Sequence, residues 1–308
     1  MANDIVILGV FVADTAYRAG RMPRMGETIL GQSFALGPGG KGSNQSVAAA
    51  MAGGDVGLLT KLGQDTFAEM ALATWEKAGV TSLATQHPES YTGAAFIFVD
   101  HSTGDNAIII SPGIAATISA SDVEAQAQAI RSAKVFVTQL EQPQDAAIRA
   151  LSIAREGGAA TILNPAPAAE IPDEMLGLCD YVTPNETEAS ELTGIEVRDI
   201  PSAEKAAAAL MVRGVAKAAI ITLGENGCLW FDGDTALHVP GLSAGPVAET
   251  TGAGDAFNGG FAVALAEGMK PGDALRFANA TAAISVTRAG TAPSMPSREE
   301  IDALLATG

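Results

Sequence analysis

The chain has 308 residues, 47% of them hydrophobic, and its 35 Asp and Glu against 18 Lys and Arg give a formal net charge of −17. That length buries a large core as one or two domains, while the acidic balance and the lack of a dense Lys/Arg run argue against a nucleic-acid partner. No uncharged apolar stretch runs far enough without Pro or Gly breaks to span a membrane, and three scattered histidines, His87, His101 and His238, argue against a zinc enzyme or a His-based triad.

The opening Met1-Ala2-Asn3-Asp4 runs straight into apolar residues 5–10. It has no basic segment, and Asp4 argues against a signal peptide. Strand-like apolar runs follow at 55–61, 135–140, 161–163, 181–183 and 218–222. Between them, helical periods are predicted at 41–51, 66–78, 121–131, 144–155, 186–193 and 203–213, with Ser121-Asp122-Val123-Glu124 reading as a capping box. A further helical run begins at Ala256 and carries Phe257, Phe261, Ala262 and Leu265 on one side. This β–α alternation predicts an α/β fold, a doubly wound parallel sheet with helices on both faces. Ala and Gly are abundant and aromatics only 5%, which suits close helix-on-sheet packing. Cys179 and Cys228 have no metal-ligand spacing and sit in apolar surroundings, so both are expected as buried free thiols of a cytoplasmic protein.

Two segments break the alternation, 15–36 and 91–110. The second reads as a hairpin, 92–100 and 106–110, turning around Ser102-Thr103-Gly104-Asp105. Extra strands off a doubly wound sheet serve either as a cover over a site or as an edge excursion.

The glycine-rich turn Thr250-Thr251-Gly252-Ala253-Gly254-Asp255 precedes the helix at 256. The first N–H groups of a helix have no internal partner, and the helix dipole adds positive charge there, so a phosphate fits. Asp255 is either a favourable first-turn charge or a base that takes a hydroxyl proton while the amides receive a phosphoryl group. A second cluster, Gly37-Pro38-Gly39-Gly40-Lys41-Gly42-Ser43-Asn44, spells the dinucleotide fingerprint literally. It follows an irregular segment rather than a first strand, and Asp65 lies beyond the next strand, so that reading fails. It is no P-loop either, since Ala35 stands at the first glycine position. What remains is a tight turn into a helix whose Lys41 and Asn44 can bond the hydroxyls of a small polar molecule, or a plain turn with a surface lysine.

Asn185-Glu186-Thr187-Glu188 follows a strand. Asn185 is a good N-cap, and with Glu188 it also suits a hydrated Mg²⁺ beside phosphates. Thr222-Leu223-Gly224-Glu225-Asn226-Gly227 closes a strand with a glycine turn. Asp14 and Glu141 lie just past strand ends, where ligands of open α/β sheets collect.

Taken together and in order, Gly39 to Gln45, Asn164-Pro165-Ala166-Pro167, Thr183 to Glu188, Ile221 to Gly224 and Gly252 to Gly259 resemble the ribokinase family of sugar and nucleoside kinases, the phosphofructokinase-B type. The resemblance runs from about residue 5 to 305. It implies a single kinase domain over residues 1–308, with a small β-sheet lid from about 12–36 and 91–111 that closes over the sugar and makes a homodimer contact. It implies ATP and Mg²⁺, with Asp255 as catalytic base and the amides of Gly252, Ala253 and Gly254 as anion hole. Asp14, Gly40, Lys41, Asn44 and Glu141 would hold the sugar. Asn185, Thr222, Gly224, Glu225, Gly227 and Asn279 would line the nucleotide, and Asn185 and Glu188 would hold Mg²⁺ through water. Two departures stand out. Val12 occupies a position usually held by Asn, and Glu249 one usually held by Asp in the monovalent-cation loop, where Thr251, Gly290 and Ser294 would complete a K⁺ site. The expected activity is transfer of the ATP γ-phosphoryl to a primary hydroxyl of a small sugar, ribose or a close analogue. Fructose or a phosphorylated hexose, a 3-deoxy keto acid and a nucleoside are the rival acceptors. A catalytically silent sugar- or nucleotide-binding regulator is the alternative of another class.

Overall fold

The computed structural model describes residues 3–307; Met1, Ala2 and Gly308 of the sequence-based span lie outside the described residues. Its main sheet has nine strands in the order Ala236–Val239, Cys228–Phe231, Ala218–Thr222, Tyr181–Val182, Ala160–Leu163, Val135–Thr138, Ile5–Leu8, Val56–Leu59 and Thr81–Ser82. All neighbours are parallel except at Ala218–Thr222, Cys228–Phe231 and Ala236–Val239, which form an antiparallel edge.

The central strands are apolar throughout because both of their faces are covered. Ile5, Ile7, Val135 and Val137 belong to one buried cluster with helices Lys41–Met51, Thr66–Ala78, Ala253–Ala266 and Pro271–Ser285. Val6, Leu8 and Phe136 belong to the other, with helices Gln144–Gly157, Glu186–Thr193 and Ile200–Val212. The doubly wound fold expected from the alternation is therefore present. Cys179 and Cys228 are free and buried, and burial pushes the Cys228 thiol up to about 12. Among the described residues no helix is long and apolar enough to cross a membrane.

A second, four-stranded sheet runs in the order Ser33–Gly39, Val12–Ala19, Thr92–Asp100, Asn106–Gly113. Asp14 thus lies inside a strand of this sheet, not in a loop past the first strand. Tyr17 packs its ring 5.0 Å from Phe34 and 5.5 Å from Phe96. Tyr17, Phe34, Leu36 and Ile109 on that face are exposed.

The helix expected at 121–131 is two short ones, Ala120–Ala125 and Ala127–Ser132, parted at Gln126. Their capping box lies two residues earlier than the sequence reading placed it. Ser119 is the N-cap, and its amide bonds Asp122 Oδ2 at 2.8 Å. Ser121 is inside the helix, its hydroxyl 2.8 Å from that of Ser119. Both serines have a carboxylate three residues on, Asp122 and Glu124, so the spacing alone does not choose between them.

Candidate active site

Beyond the carboxyl ends of the parallel strands lies a cleft of about 150 Å³, where ligands of open α/β sheets bind. Lys41, Asn164, Asn185, Glu188, Thr222, Gly252, Gly254, Asp255 and Asn258 all line it. Two close backbone approaches build it. A Cβ on Gly259 would sit 2.5 Å from the Ala48 Cβ, so only glycine lets helix Ala253–Ala266 cross helix Lys41–Met51 so tightly. A Cβ on Gly42 would likewise sit 2.6 Å from the Gly9 Cα. The sequence thereby brings Asp255 and residues 41–45, some 210 positions apart, into contact.

Gly252 is the N-cap of helix Ala253–Ala266, with φ 83° in the left-handed region and no side-chain cap. Asp255 sits in the first turn, 7% exposed. Its Oδ2 accepts from Asn44 Nδ2 and its Oδ1 from Gln45 Nε2, both at 3.0 Å. Burial pushes the Asp255 carboxyl up, against the pull of the Lys41 charge and the Asn44 and Gln45 bonds. Burial works against the Lys41 ammonium too, but Asp255, Glu141 and Glu188 outweigh it and hold Lys41 above its ordinary value.

On one side of Asp255 are the residues expected to meet a sugar. The Lys41 amide donates to Glu141 Oε2 at 2.8 Å. Burial lifts Glu141 to about 7 against the pull of Lys41, and lifts Asp14 to about 6, with Asp255 and Glu249 adding to the latter. Asp14 fits against Gly39, where a Cβ would come within 2.2 Å of its carboxylate. Asn44 Oδ1 is buried with no partner, an acceptor beside Asp255 suited to a hydroxyl.

On the other side, Asn185 and Glu188 close a reciprocal cap. Asn185 Oδ1 accepts from the Glu188 amide at 2.8 Å, and Glu188 Oε2 from the Asn185 amide at 3.0 Å. Glu188 is 9% exposed, and burial raises its carboxyl. Thr222 is joined to Asn185 by a parallel bridge. Gly224 and Gly227, both with positive φ, frame the turn beyond it with the exposed Glu225. Asn279 is not part of the cleft lining itself; its Nδ2 bonds the carbonyls of Val239 and Pro240 at 3.2 and 3.1 Å, the strand end that packs against Gly227.

The expected cation loop gathers in part. Glu249 Oε2 accepts from the Gly290 amide at 2.8 Å, and the Ser294 hydroxyl donates to the Thr291 carbonyl at 2.8 Å. Thr251 is exposed nearby in the chain.

A model of the pfkB family carbohydrate kinases matches residues 2–298. The chain belongs to that family. It is 37% identical to a ribokinase of Haemophilus influenzae over 97% of both chains, and 36% identical to a deoxyribokinase of Salmonella typhimurium over 98% of both. The structure of Arabidopsis thaliana ribokinase complexed with ribose and ATP is similar at a TM-score of 0.90 and 32% identity, covering 99% of both chains. The fold, the family and the carbohydrate-kinase activity expected from the five motifs all stand.

For a pfkB kinase, the arrangement puts a buried carboxylate, an uncapped helix N-terminus and one lysine around a single small space. Phosphoryl transfer asks the protein chiefly for positioning and charge stabilisation. Sequence reasoning missed the amide side chains that complete this centre: Gln45, Gln139, Asn164 and Asn258. Asn258 takes a 2.6 Å bond from Thr183 and donates at 2.8 Å to the Gly254 carbonyl, bracing the glycine turn. Its place one turn after Asp255 was the available signal.

Proposed function

We propose that this chain transfers the γ-phosphoryl group of ATP to a primary hydroxyl of a small sugar, ribose or a close analogue such as deoxyribose. The observation that carries the proposal is Asp255, buried at a helix N-terminus that no side chain caps and flanked by the unpartnered oxygen of Asn44. The relatives named ribokinase and deoxyribokinase support the choice of acceptor.

In this reading the sugar rests against Asp14, Gly40, Lys41, Asn44 and Glu141. Its hydroxyl gives its proton to Asp255 as the new O–P bond forms and the bond to the ADP oxygen breaks. Burial of Asp255 raises its proton affinity toward the working pH of a general base. The amides of Gly252, Ala253 and Gly254 receive the charge of the transferred group. The nucleotide lies along Thr222, Gly224, Glu225 and Gly227, with Asn279 supporting the strand end behind it.

Among the described residues no three His, Cys, Asp or Glu side chains gather as a metal cage. Mg²⁺ takes few protein ligands beside substrate phosphates and water, and Asn185 and Glu188 at the cleft wall fit that pattern. The ion would neutralise phosphate charge there. Glu249, Thr251, Gly290 and Ser294 would hold K⁺, and Glu249 already bridges the two loops concerned. The four-stranded sheet serves as the lid, excluding water as the competing acceptor. Its exposed row of Tyr17, Phe34, Leu36 and Ile109 pairs with a second copy of the chain. The free buried thiols suit the reducing cytoplasm.

A coupled assay of ADP release across pentoses, hexoses, keto acids and nucleosides, with and without K⁺, tests the reading. Ribose or deoxyribose should give the highest kcat/KM. Turnover confined to nucleosides or hexose phosphates would overturn the acceptor, and K⁺-independent rates the cation site.

A further inference from the structure

We propose that Gln45 is the positioning residue for Asp255, and that Gln139 holds the Gln45 amide the right way round. The inference rests on Asp255 being the base and goes beyond it by naming what aims that base.

Gln45 is fully buried in the second turn of helix Lys41–Met51. Its Nε2 donates to Asp255 Oδ1 and to Asn164 Oδ1, both at 3.0 Å. Its Oε1 accepts from Gln139 Nε2 at 2.7 Å. A primary amide has two donor hydrogens on one end and an acceptor on the other, and here both hydrogens and the oxygen are committed. Turning the amide over would set oxygen against two oxygens and nitrogen against nitrogen, losing three bonds in a site closed to water.

Asp255 and Asn164, whose Nδ2 is committed to the Thr183 carbonyl at 3.2 Å, call for the nitrogen end of Gln45, and Gln139 holds the oxygen end. It is fully buried just past strand Val135–Thr138, in space that exists because residue 9 is glycine: a Cβ there would lie 2.4 Å from Gln139 Oε1. Gln142 Nε2 bonds the Gln139 backbone carbonyl at 2.6 Å, while the side-chain Oε1 of Gln139 is buried without a partner. The relay therefore starts on a rigid strand end and finishes on the carboxylate. Asn44, the other donor to Asp255, stands at the sugar side and carries a free acceptor, so its bond can be exchanged for a substrate contact. Gln45 is walled off and keeps its bond. With Oδ1 pinned, the plane of the Asp255 carboxylate is set, and Oδ2 is the oxygen that meets the acceptor hydroxyl. A base aimed in this way acts on the transition state and not on substrate affinity.

The test is steady-state kinetics on Gln45→Leu, Gln139→Leu and the double variant, beside Asp255→Asn, with thermal melts on each. Gln45→Leu should lower kcat about 10²-fold with KM for ATP unchanged, and Gln139→Leu about tenfold in the same pattern. The double variant should be no slower than Gln45→Leu, since both act through one bond. Losses that multiply, or folded variants with full kcat, would overturn the relay. If Gln45→Leu does not fold, Gln139→Leu decides alone: kcat reduced at constant KM supports the relay, and unchanged kcat ends it. A turnover-competent Asp255→Asn would instead sink the base assignment, so the two failures are distinct.

Discussion

Helix Glu186–Thr193 and helix Ala253–Ala266 both bring their N-termini to the cleft, yet they end differently. The first is sealed by its own side chains, Asn185 and Glu188 each bonding the other's backbone amide. The second starts from a left-handed glycine with no side-chain cap. A sealed terminus has its amides satisfied and offers a carboxylate, which suits a cation carried in on a phosphate. An open terminus offers amides and dipole, which suits charge developing on the phosphoryl group itself. The same chemical unit, the first turn of a helix, is thus set to opposite polarity on two sides of one reaction space.

The sharpest way to break this contrast is to remove the charge on the open side. Asp255→Asn should cut kcat about 10³-fold while calorimetry finds ATP affinity unchanged; near-normal turnover would reduce Asp255 to a first-turn charge. Next in size is Gly252→Ala. Its φ of 83° costs an alanine about 1–2 kcal/mol, and the added methyl meets Thr291 at 3.3 Å. Shifting the amides by that much should lower kcat about 10²-fold and lower the melting temperature. Gly254→Ala, with no atom within 4 Å of the new Cβ, should melt like the wild type. Equal melting losses in the two variants would remove the special role of the left-handed residue.

The open terminus was legible in the sequence because glycine before an apolar helical run has few other uses. The doubly wound sheet was legible for a similar reason, since strands buried on both faces need unbroken apolar runs such as Ile5 to Leu8. The amides around Asp255 were not legible. Gln45 and Gln139 lie 94 positions apart, and neither carries charge or periodicity; their meaning exists only once two helices and a strand end converge. Asn279 shows the same limit from another side: its residue type suited a ligand, while its bonds to the Val239 and Pro240 carbonyls beside Gly227 appear only in the fold.

On the sealed side, Glu188→Gln keeps an acceptor for the Asn185 amide but removes the charge. It should leave the melting temperature nearly unchanged and raise the Mg²⁺ needed for half-maximal rate roughly tenfold, the equivalent of about 1.4 kcal/mol. Asn185→Ala should instead lose about 1 kcal/mol of helix stability, seen as a lower melting temperature. If Glu188→Gln leaves the Mg²⁺ requirement untouched, the pair is a cap and nothing more.

The sugar side adds a titration to the contrast. Glu141 rises from 4.5 to about 7 in the fold, chiefly through burial. A carboxyl with a raised folded pKa binds its proton more tightly folded than unfolded, so its contribution to stability falls as pH rises between those two values and is level above about 7. Between about pH 5 and pH 8 the wild type should therefore lose a few degrees of melting temperature that Glu141→Gln, which keeps an acceptor for the Lys41 amide, does not lose. Parallel melting curves would show that Glu141 is solvated after all.

The smallest expected effect concerns which sugar the site prefers. Val12 is two residues before Asp14 on the same strand, hence on the same face of the four-stranded sheet. It is 4% exposed, in the apolar cluster that holds Val10, Ala95 and Ile118. Methyl groups there give a sugar hydroxyl nothing to bond, so a hydroxyl placed against Val12 loses its water without replacement. A sugar lacking that hydroxyl escapes the penalty, which favours deoxyribose relative to a site with a polar residue at this position. Val12→Asn should raise the ratio of kcat/KM for ribose over deoxyribose by up to about tenfold. Without sugar the buried amide lacks a partner, so the free enzyme should melt lower, and saturating ribose should restore more of the loss than deoxyribose does. A ratio unchanged by the substitution would place Val12 behind the sugar site and leave Asp14 to discriminate alone.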